Sequence, residues 1–157
     1  MQLMPTSAAS VAGDPTLTSD PISLFDIGKN MQLGQQYLAE LENNATGHDL
    51  LRAISGYNGG PNMVARTEAA LGGAADTLLL IECMPYAETR AYVKKVTAAY
   101  WTYRRQFGAT TRTLDAAASD LPTIDARLDG SPPSQNPQTT AAATREPLEV
   151  LLSRSGG

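Results

Sequence analysis

Residues 26–43 read DIGKNMQLGQQYLAELEN, and the spacing of their apolar side chains decides what kind of fold the chain adopts. Ile27, Met31, Gly34, Tyr37, Leu38 and Leu41 recur every three or four positions, the period of one face of an amphipathic α-helix. Asp26 or Ser23 stands where a side-chain oxygen caps the first free amides of such a helix. Downstream, Asp49–Ser55 reads as a shorter helix with Leu50, Leu51 and Ile54 inward, and the glycines and proline of GYNGGP (56–61) stop it. A third helix covers about Asn62–Leu71. The run DTLLLIECMP (76–85) fits strand or helix equally, because a short continuous apolar run hides its period.

The clearest helix is Glu88–Phe107. Tyr92, Val93, Val96, Tyr100, Tyr103 and Phe107 make one apolar face, while Lys94, Lys95, Arg104 and Arg105 lie off it. Arg104 and Arg105 also suit the negative end of the helix dipole. At the other end of the chain, Pro5 sets a helical φ and disfavours helix at Met4, so a helix starts at Pro5 and runs through Ala8 and Ala9. These patterns predict a mainly α fold without a long sheet.

Composition narrows the function. A chain of 157 residues holds one domain, and 12 Lys and Arg against 16 Asp and Glu give a net charge of −4 with no basic block. That argues against nucleic acid as a partner. No apolar run approaches the roughly 18 residues of a membrane span, and no signal peptide is visible at the start. The single Cys83 reads as a small buried hydrophobe, and the single His48, in a loop, as a surface or capping residue. No His and Cys cluster has metal-ligand spacing, and the glycines of GYNGGP do not follow a strand, so neither a metal nor a cofactor is expected.

Composition changes near Phe107-Gly108. The following LPTIDARLDGSPPSQNPQTTAAATREP (121–147) is rich in Pro, Thr, Ser and Ala, and too poor in large apolar residues to offset its ordering entropy. The expected division is therefore a folded domain over 1–107 and a disordered tail over 108–157, with a marginal helix around Glu146–Ser153.

Four stretches stand in the order of a known family. MQLMP (1–5), LFDIGKNMQLGQQYLAEL (24–41), AISGYNGGPNMV (53–64) and MPYAETRAYVKKV (84–96) closely resemble the soluble lytic transglycosylases of bacterial cell walls. There the corresponding runs look like GLMQLMP, an Asn-Ile-xx-Gly-xx-Tyr-Leu helix, A-Y-N-x-G-P and I-P-x-x-ET-x-x-Y-V. Ser55-Gly56 replaces the usual Ala-Ala, and Met84 stands where Ile is common. The resemblance implies a lysozyme-like transglycosylase domain that lacks its first helix, the one carrying the catalytic Glu. That acid is expected upstream of Met1, so the chain reads as truncated at its N-terminus and, as given, inactive.

In this family one Glu, kept protonated by a partly apolar pocket, gives its proton to the oxygen between N-acetylmuramic acid and N-acetylglucosamine. The same group then takes the proton of the muramic acid 6-hydroxyl, which closes onto C1 to give the 1,6-anhydro sugar. What the resemblance leaves in this chain is the substrate-binding side: Gln2, Met4, Tyr57, Asn58, Glu88 and Tyr92. Gln2 offers an amide for a sugar acetamido group, and Met1 and Met4 resemble an apolar floor. Tyr57 offers an aromatic face and a hydroxyl, and Asn58 either grips sugar or simply serves the turn. Glu88 matches the ETR glutamate, which binds sugar or acts as a first-turn carboxylate favoured by the helix dipole. Tyr92 lines the site or packs in the core. The implied partner is the glycan strand of peptidoglycan, in the periplasm or cell envelope, with a protein partner for the tail as a further expectation. Two classes follow: a lytic transglycosylase, and a remnant that binds glycan or acts as a scaffold without cleaving.

Overall fold

A computed structural model of the chain describes residues 3–73 and 75–130. The expected mainly α architecture is what it shows. Helix α1 (Pro5–Ala12) begins with Pro at its first position and ends at Gly13, whose φ of 63° supplies the left-handed turn. A short α2 (Thr16–Ser19) and a 3-10 turn (Pro21–Phe25) lead to α3 (Ile27–Glu40). Asp26 caps α3 by accepting from Lys29 N at 2.7 Å, and the helix runs on into a π turn over Leu41–Ala45. Then come α4 (Leu50–Gly59), α5 (Pro61–Ala70), α6 (Thr77–Glu82), α7 (Ala87–Gln106), α8 (Arg112–Ala118) and a last 3-10 turn at Ala126–Asp129. Among the described residues the only β pairing is an isolated bridge between Asp49 and Asp125.

Two apolar clusters hold these helices together. The larger gathers Leu50, Leu51 and Ile54 of α4, Met63 and Val64 of α5, Leu80 and Ile81 of α6, and Val93 of α7 around Met84 and Ile124. The smaller joins Leu3, Ala8, Leu17, Leu24 and Leu33, with Tyr37 and Tyr57 packed against it. Burying apolar area of this kind, about 25 cal/mol per Å², is the main favourable contribution to such a fold.

The inward face of α3 is turned relative to the sequence pattern. Leu33, Gly34 and Leu41 are buried and Tyr37 and Leu38 half-buried, but Ile27 is 76% exposed and Met31 48% exposed. Together with Phe25, 84% exposed, these side chains form an uncovered apolar face beside Leu3. In α7, Val93 is buried and Tyr92, Val96 and Tyr100 are half-buried, whereas Tyr103 and Phe107 are exposed, since the last turns meet the 110–129 segment through Tyr100, Trp101 and Arg104 instead.

Three further expectations are corrected. Helix α4 does not stop at Ser55 but runs through Gly56, Tyr57 and Asn58 to Gly59, and only Gly60, with φ 84° and ψ 146°, breaks it. The ambiguous run at 76–85 is helical, started by the Asp76 carboxylate accepting from the amides of Leu78 and Leu79. Cys83 is exposed rather than buried, because it follows the last turn of α6 on the solvent side.

The folded body also continues past Gly108, through the described residues 109–130. Ile124 is fully buried, and its amide donates to the carboxylate of Asp49 at 2.9 Å while its carbonyl accepts from Leu50 N at 2.8 Å. The Thr77 hydroxyl lies 2.6 Å from Asp49 Oδ2 and 3.0 Å from the Pro122 carbonyl. Asp129, its side chain 1% exposed, accepts from the Tyr100 hydroxyl at 2.9 Å and from the Thr113 hydroxyl at 2.6 Å. Trp101 Nε1 donates to Thr113 at 2.9 Å, and Arg104 donates to the carbonyls of Thr110 and Asp129. Composition missed this segment because buried polar bonds, rather than a large apolar area, fasten it. The stretch beyond Gly130, including the helix suggested at Glu146–Ser153, lies outside the described residues.

Candidate functional site

The C-terminal end of α4 and the first turn of α7 meet at Gly59. A Cβ there would displace the Met63 Cε tip and lie 3.1 Å from Thr89 Oγ1, so glycine eases the close approach of α4 and α7 at this point. The approach brings Asn58 and Glu88, 30 positions apart, to one cavity of about 460 Å³ whose wall is completed by Pro85, Tyr86 and Thr89. Pro85 cannot extend α6, and Arg90 ties the connection down by donating to the Met84 carbonyl. Both Asn58 and Glu88 are exposed, and Glu88 is the one carboxylate lining the cavity.

Tyr57 takes a different position. Its ring stands 5.5 Å from that of Tyr37 at 50°, and its buried hydroxyl has no hydrogen-bond partner among the described residues. Burial raises the Tyr57 hydroxyl above the usual phenol pKa, with smaller contributions from Tyr92 and Tyr37. Tyr92 is half-buried against the larger cluster, and burial raises its pKa as well. Tyr57 packs against the smaller apolar cluster and Tyr92 against the larger, and neither lines the Asn58–Glu88 cavity. Met4 flanks α1 and is 67% exposed, away from that cavity. Gln2, like Met1, lies outside the described residues.

An exposed carboxylate acceptor beside an amide that both donates and accepts suits a ligand rich in hydroxyl and amide groups. The other carboxylates near the core are committed to structure. Asp49 is saturated by Arg52 N, Thr77 and Ile124 N, and Asp129 by Thr113 and Tyr100. Among the described residues no group of His, Cys, Asp and Glu is arranged to hold a metal ion, and no helix is long and apolar enough to cross a membrane. Sequence reasoning missed Tyr86 and Thr89 as cavity residues. Their signal was adjacency, since Tyr86 precedes and Thr89 belongs to the AET run that contains Glu88.

The family model for the transglycosylase SLT domain matches residues 1–79. The chain belongs to this family. The SLT-domain chain is 32% identical over 119 residues to a soluble lytic murein transglycosylase of Escherichia coli (strain K12), covering 74% of this chain and 18% of that protein. A soluble lytic murein transglycosylase of Salmonella typhimurium (strain LT2) is 31% identical over 109 residues, 68% of this chain and 17% of that protein. The chain thus spans less than a fifth of the length of these curated relatives. No solved structure matches it. The helical body of the SLT-domain chain fits the lysozyme-like fold that its four motifs imply.

Proposed function

We propose that the chain is the substrate-gripping part of a peptidoglycan lytic transglycosylase, with the glycan strand held in the Asn58–Glu88 cavity. The enzyme cleaves the β-1,4 bond between N-acetylmuramic acid and N-acetylglucosamine and closes the 6-hydroxyl onto C1. The observation that carries this reading is the cavity itself, where two of the family's motifs, YN and ET, converge on one wall. In this reading Glu88 binds sugar and does not act as the acid, because proton donation followed by proton recovery needs a carboxyl enclosed among apolar groups, and Glu88 is exposed.

The acid then comes from a segment N-terminal to Met1 that packs on the apolar face of Phe25, Ile27 and Met31. Two features support that placement. This face borders a cavity of about 550 Å³ beside Leu3 and Pro5. It also holds the buried Asn30 Oδ1, which has no partner among the described residues although Asn30 Nδ2 donates to the Leu24 carbonyl at 3.1 Å. A docked helix with one donor satisfies both. The substrate places the protein in the periplasm or cell envelope.

The alternative, a remnant that binds glycan without cleaving it, is favoured by the single exposed carboxylate of the cavity. One experiment separates the two. Chain 1–157 and a version extended upstream in the same reading frame are incubated with purified peptidoglycan, and 1,6-anhydromuropeptides are quantified. The expected result is binding by both and product from the extended chain alone. Binding without product from either supports the remnant, and failure of both to bind refutes the glycan reading. Product from 1–157 that vanishes on Glu88→Gln makes Glu88 the acid.

A further inference from the structure

The Asn58–Glu88 cavity does not end at Tyr86. Gly59, Pro85 and Tyr86 also wall a second cavity, of about 240 Å³, which Asn62, Arg66 and Thr67 border on the α5 side. Arg66, Thr67 and Pro85 in turn border a third hollow, of about 390 Å³, that reaches Leu71. The three make one trough, which starts at the first turn of α7, crosses Pro85 and Tyr86, and continues along α5.

The two ends of the trough carry opposite charge. Glu88 lines the first cavity, whereas no carboxylate lines the other two, where the charged side chain is Arg66. Arg66 is exposed, and among the described residues no hydrogen bond or ion pair holds its guanidinium. Arg52, Arg90 and Arg104 all have acceptors, and Glu68, two positions beyond Arg66, is taken by Arg52. Asn62, one turn before Arg66 and about 6 Å from it along the helix axis, is exposed on the same face of α5. Thr67 offers no donor, because its hydroxyl is given to the Met63 carbonyl. A free guanidinium fork with an amide beside it matches a carboxylate, whose two oxygens accept parallel N–H bonds.

We propose that the trough beyond Tyr86 is a subsite for a carboxylate borne on a side branch of the glycan, bound by Arg66 and Asn62 while sugar hydroxyl and acetamido groups occupy Asn58 and Glu88. The subsite rests on the glycan reading of the first cavity. It adds a direction to that reading, since Glu88 repels an anion and Arg66 attracts it, so the ligand lies one way round. In peptidoglycan the carboxylate has two sources: the lactyl group of N-acetylmuramic acid where it is bare, and the peptide where one is attached.

Three soluble probes test the subsite by calorimetric titration of chain 1–157, Arg66→Gln and Asn62→Ala. They are the disaccharide–peptide fragment of peptidoglycan, the same disaccharide freed of peptide, and N-acetylglucosamine oligosaccharides, which carry acetamido groups but no carboxylate. Arg66→Gln is expected to weaken binding of the acidic probes about ten-fold, the loss of one charge-assisted contact, and Asn62→Ala less. Oligosaccharide binding and the melting temperature are expected to stay as in the parent, because both side chains are exposed. Dependence on Arg66 confined to one acidic probe identifies the source of the carboxylate. Equal weakening of all three probes, or of none, overturns the subsite and leaves the glycan reading standing. A parent chain that binds no probe overturns both.

Discussion

Replacing Asp49 by alanine removes the carboxylate that fastens residues 122–126 to α4 and α6. Asp49 is fully buried, with Oδ1 accepting from Arg52 N at 2.9 Å and Oδ2 from Thr77 Oγ1 at 2.6 Å and Ile124 N at 2.9 Å. Thr77 has a second acceptor in the Pro122 carbonyl, and the Arg52 guanidinium keeps Glu68 and the Ala75 carbonyl, so those groups lose little. The uncompensated losses are the cap at Arg52 N, about 1 kcal/mol, and the buried Ile124 amide left without an acceptor, about 1–3 kcal/mol. Asp49→Ala should therefore cost about 3 kcal/mol of a total that for such domains is about 5–15 kcal/mol. Asp49→Asn keeps one acceptor oxygen and should cost less. Urea titration followed by Trp101 fluorescence gives the stability change, and limited trypsin digestion gives its location, since undocking of 122–126 exposes the bond after Arg127. A loss below about 1 kcal/mol, within the range of an ordinary surface change, with no new cleavage at Arg127, would refute the assignment of Asp49 as the fastener.

Gly59→Ala pushes the Met63 tip aside and crowds Thr89, a cost that the better helix propensity of alanine partly offsets, so a loss of about 1 kcal/mol is expected, with weaker glycan binding in a pull-down on insoluble peptidoglycan. Phe25→Ser with Ile27→Ser should abolish binding of a hydrophobic dye while leaving the melting temperature nearly unchanged, because both side chains are already exposed; retained dye fluorescence would place the sticky surface elsewhere. Stability should fall at both ends of the pH scale. Burial pushes the Asp129 carboxyl up, but the Thr113 hydroxyl and amide, Tyr100 and Arg104 more than offset it, so its pKa is lowered. Its contribution is present above the unfolded value of about 3.9 and is lost as pH falls toward the lower folded value. Tyr100 is pushed up to about 12 by burial and by the adjacent Asp129 carboxylate, so its contribution is complete below the unfolded value of about 10 and is lost as pH rises toward 12. Tyr100→Phe should flatten that alkaline limb in melts recorded from pH 9 upward, at a cost of about 1 kcal/mol at neutral pH.

The helical period was legible along α3, but its rotation was not. Periodicity tells which residues share a face, whereas the neighbour they meet decides which edge of the face is buried, and here Leu33 is inward while Ile27 and Met31 stay in water. In α4 the glycines looked like a stop signal, yet Gly56 and Gly59 lie inside the helix, Gly59 where a Cβ would crowd Met63 and Thr89, and of the three only Gly60 adopts a positive φ. The polar fasteners at Asp49 and Asp129 were invisible because their partners lie far along the chain, and no local pattern marks a threonine that will face a carboxylate. At the candidate site, Asn58 and Glu88 were singled out by motif and the fold brings them to one wall, while Tyr57 and Tyr92, also singled out by motif, pack against the apolar clusters and do not line it.

The way residues 109–130 are fastened has a consequence for anyone who handles this domain as a module. The change in composition at Gly108 invites a cut there, and such a cut would keep every residue of the α4–α7 scaffold. It would also strip Asp49 of Ile124 N, leave the ring nitrogen of Trp101 without its acceptor, and open the floor beneath Leu50 and Thr77 where Ile124 and Pro122 now sit. For fusion, exchange or shortening, the border of the unit therefore has to lie beyond Ile124 and Asp129.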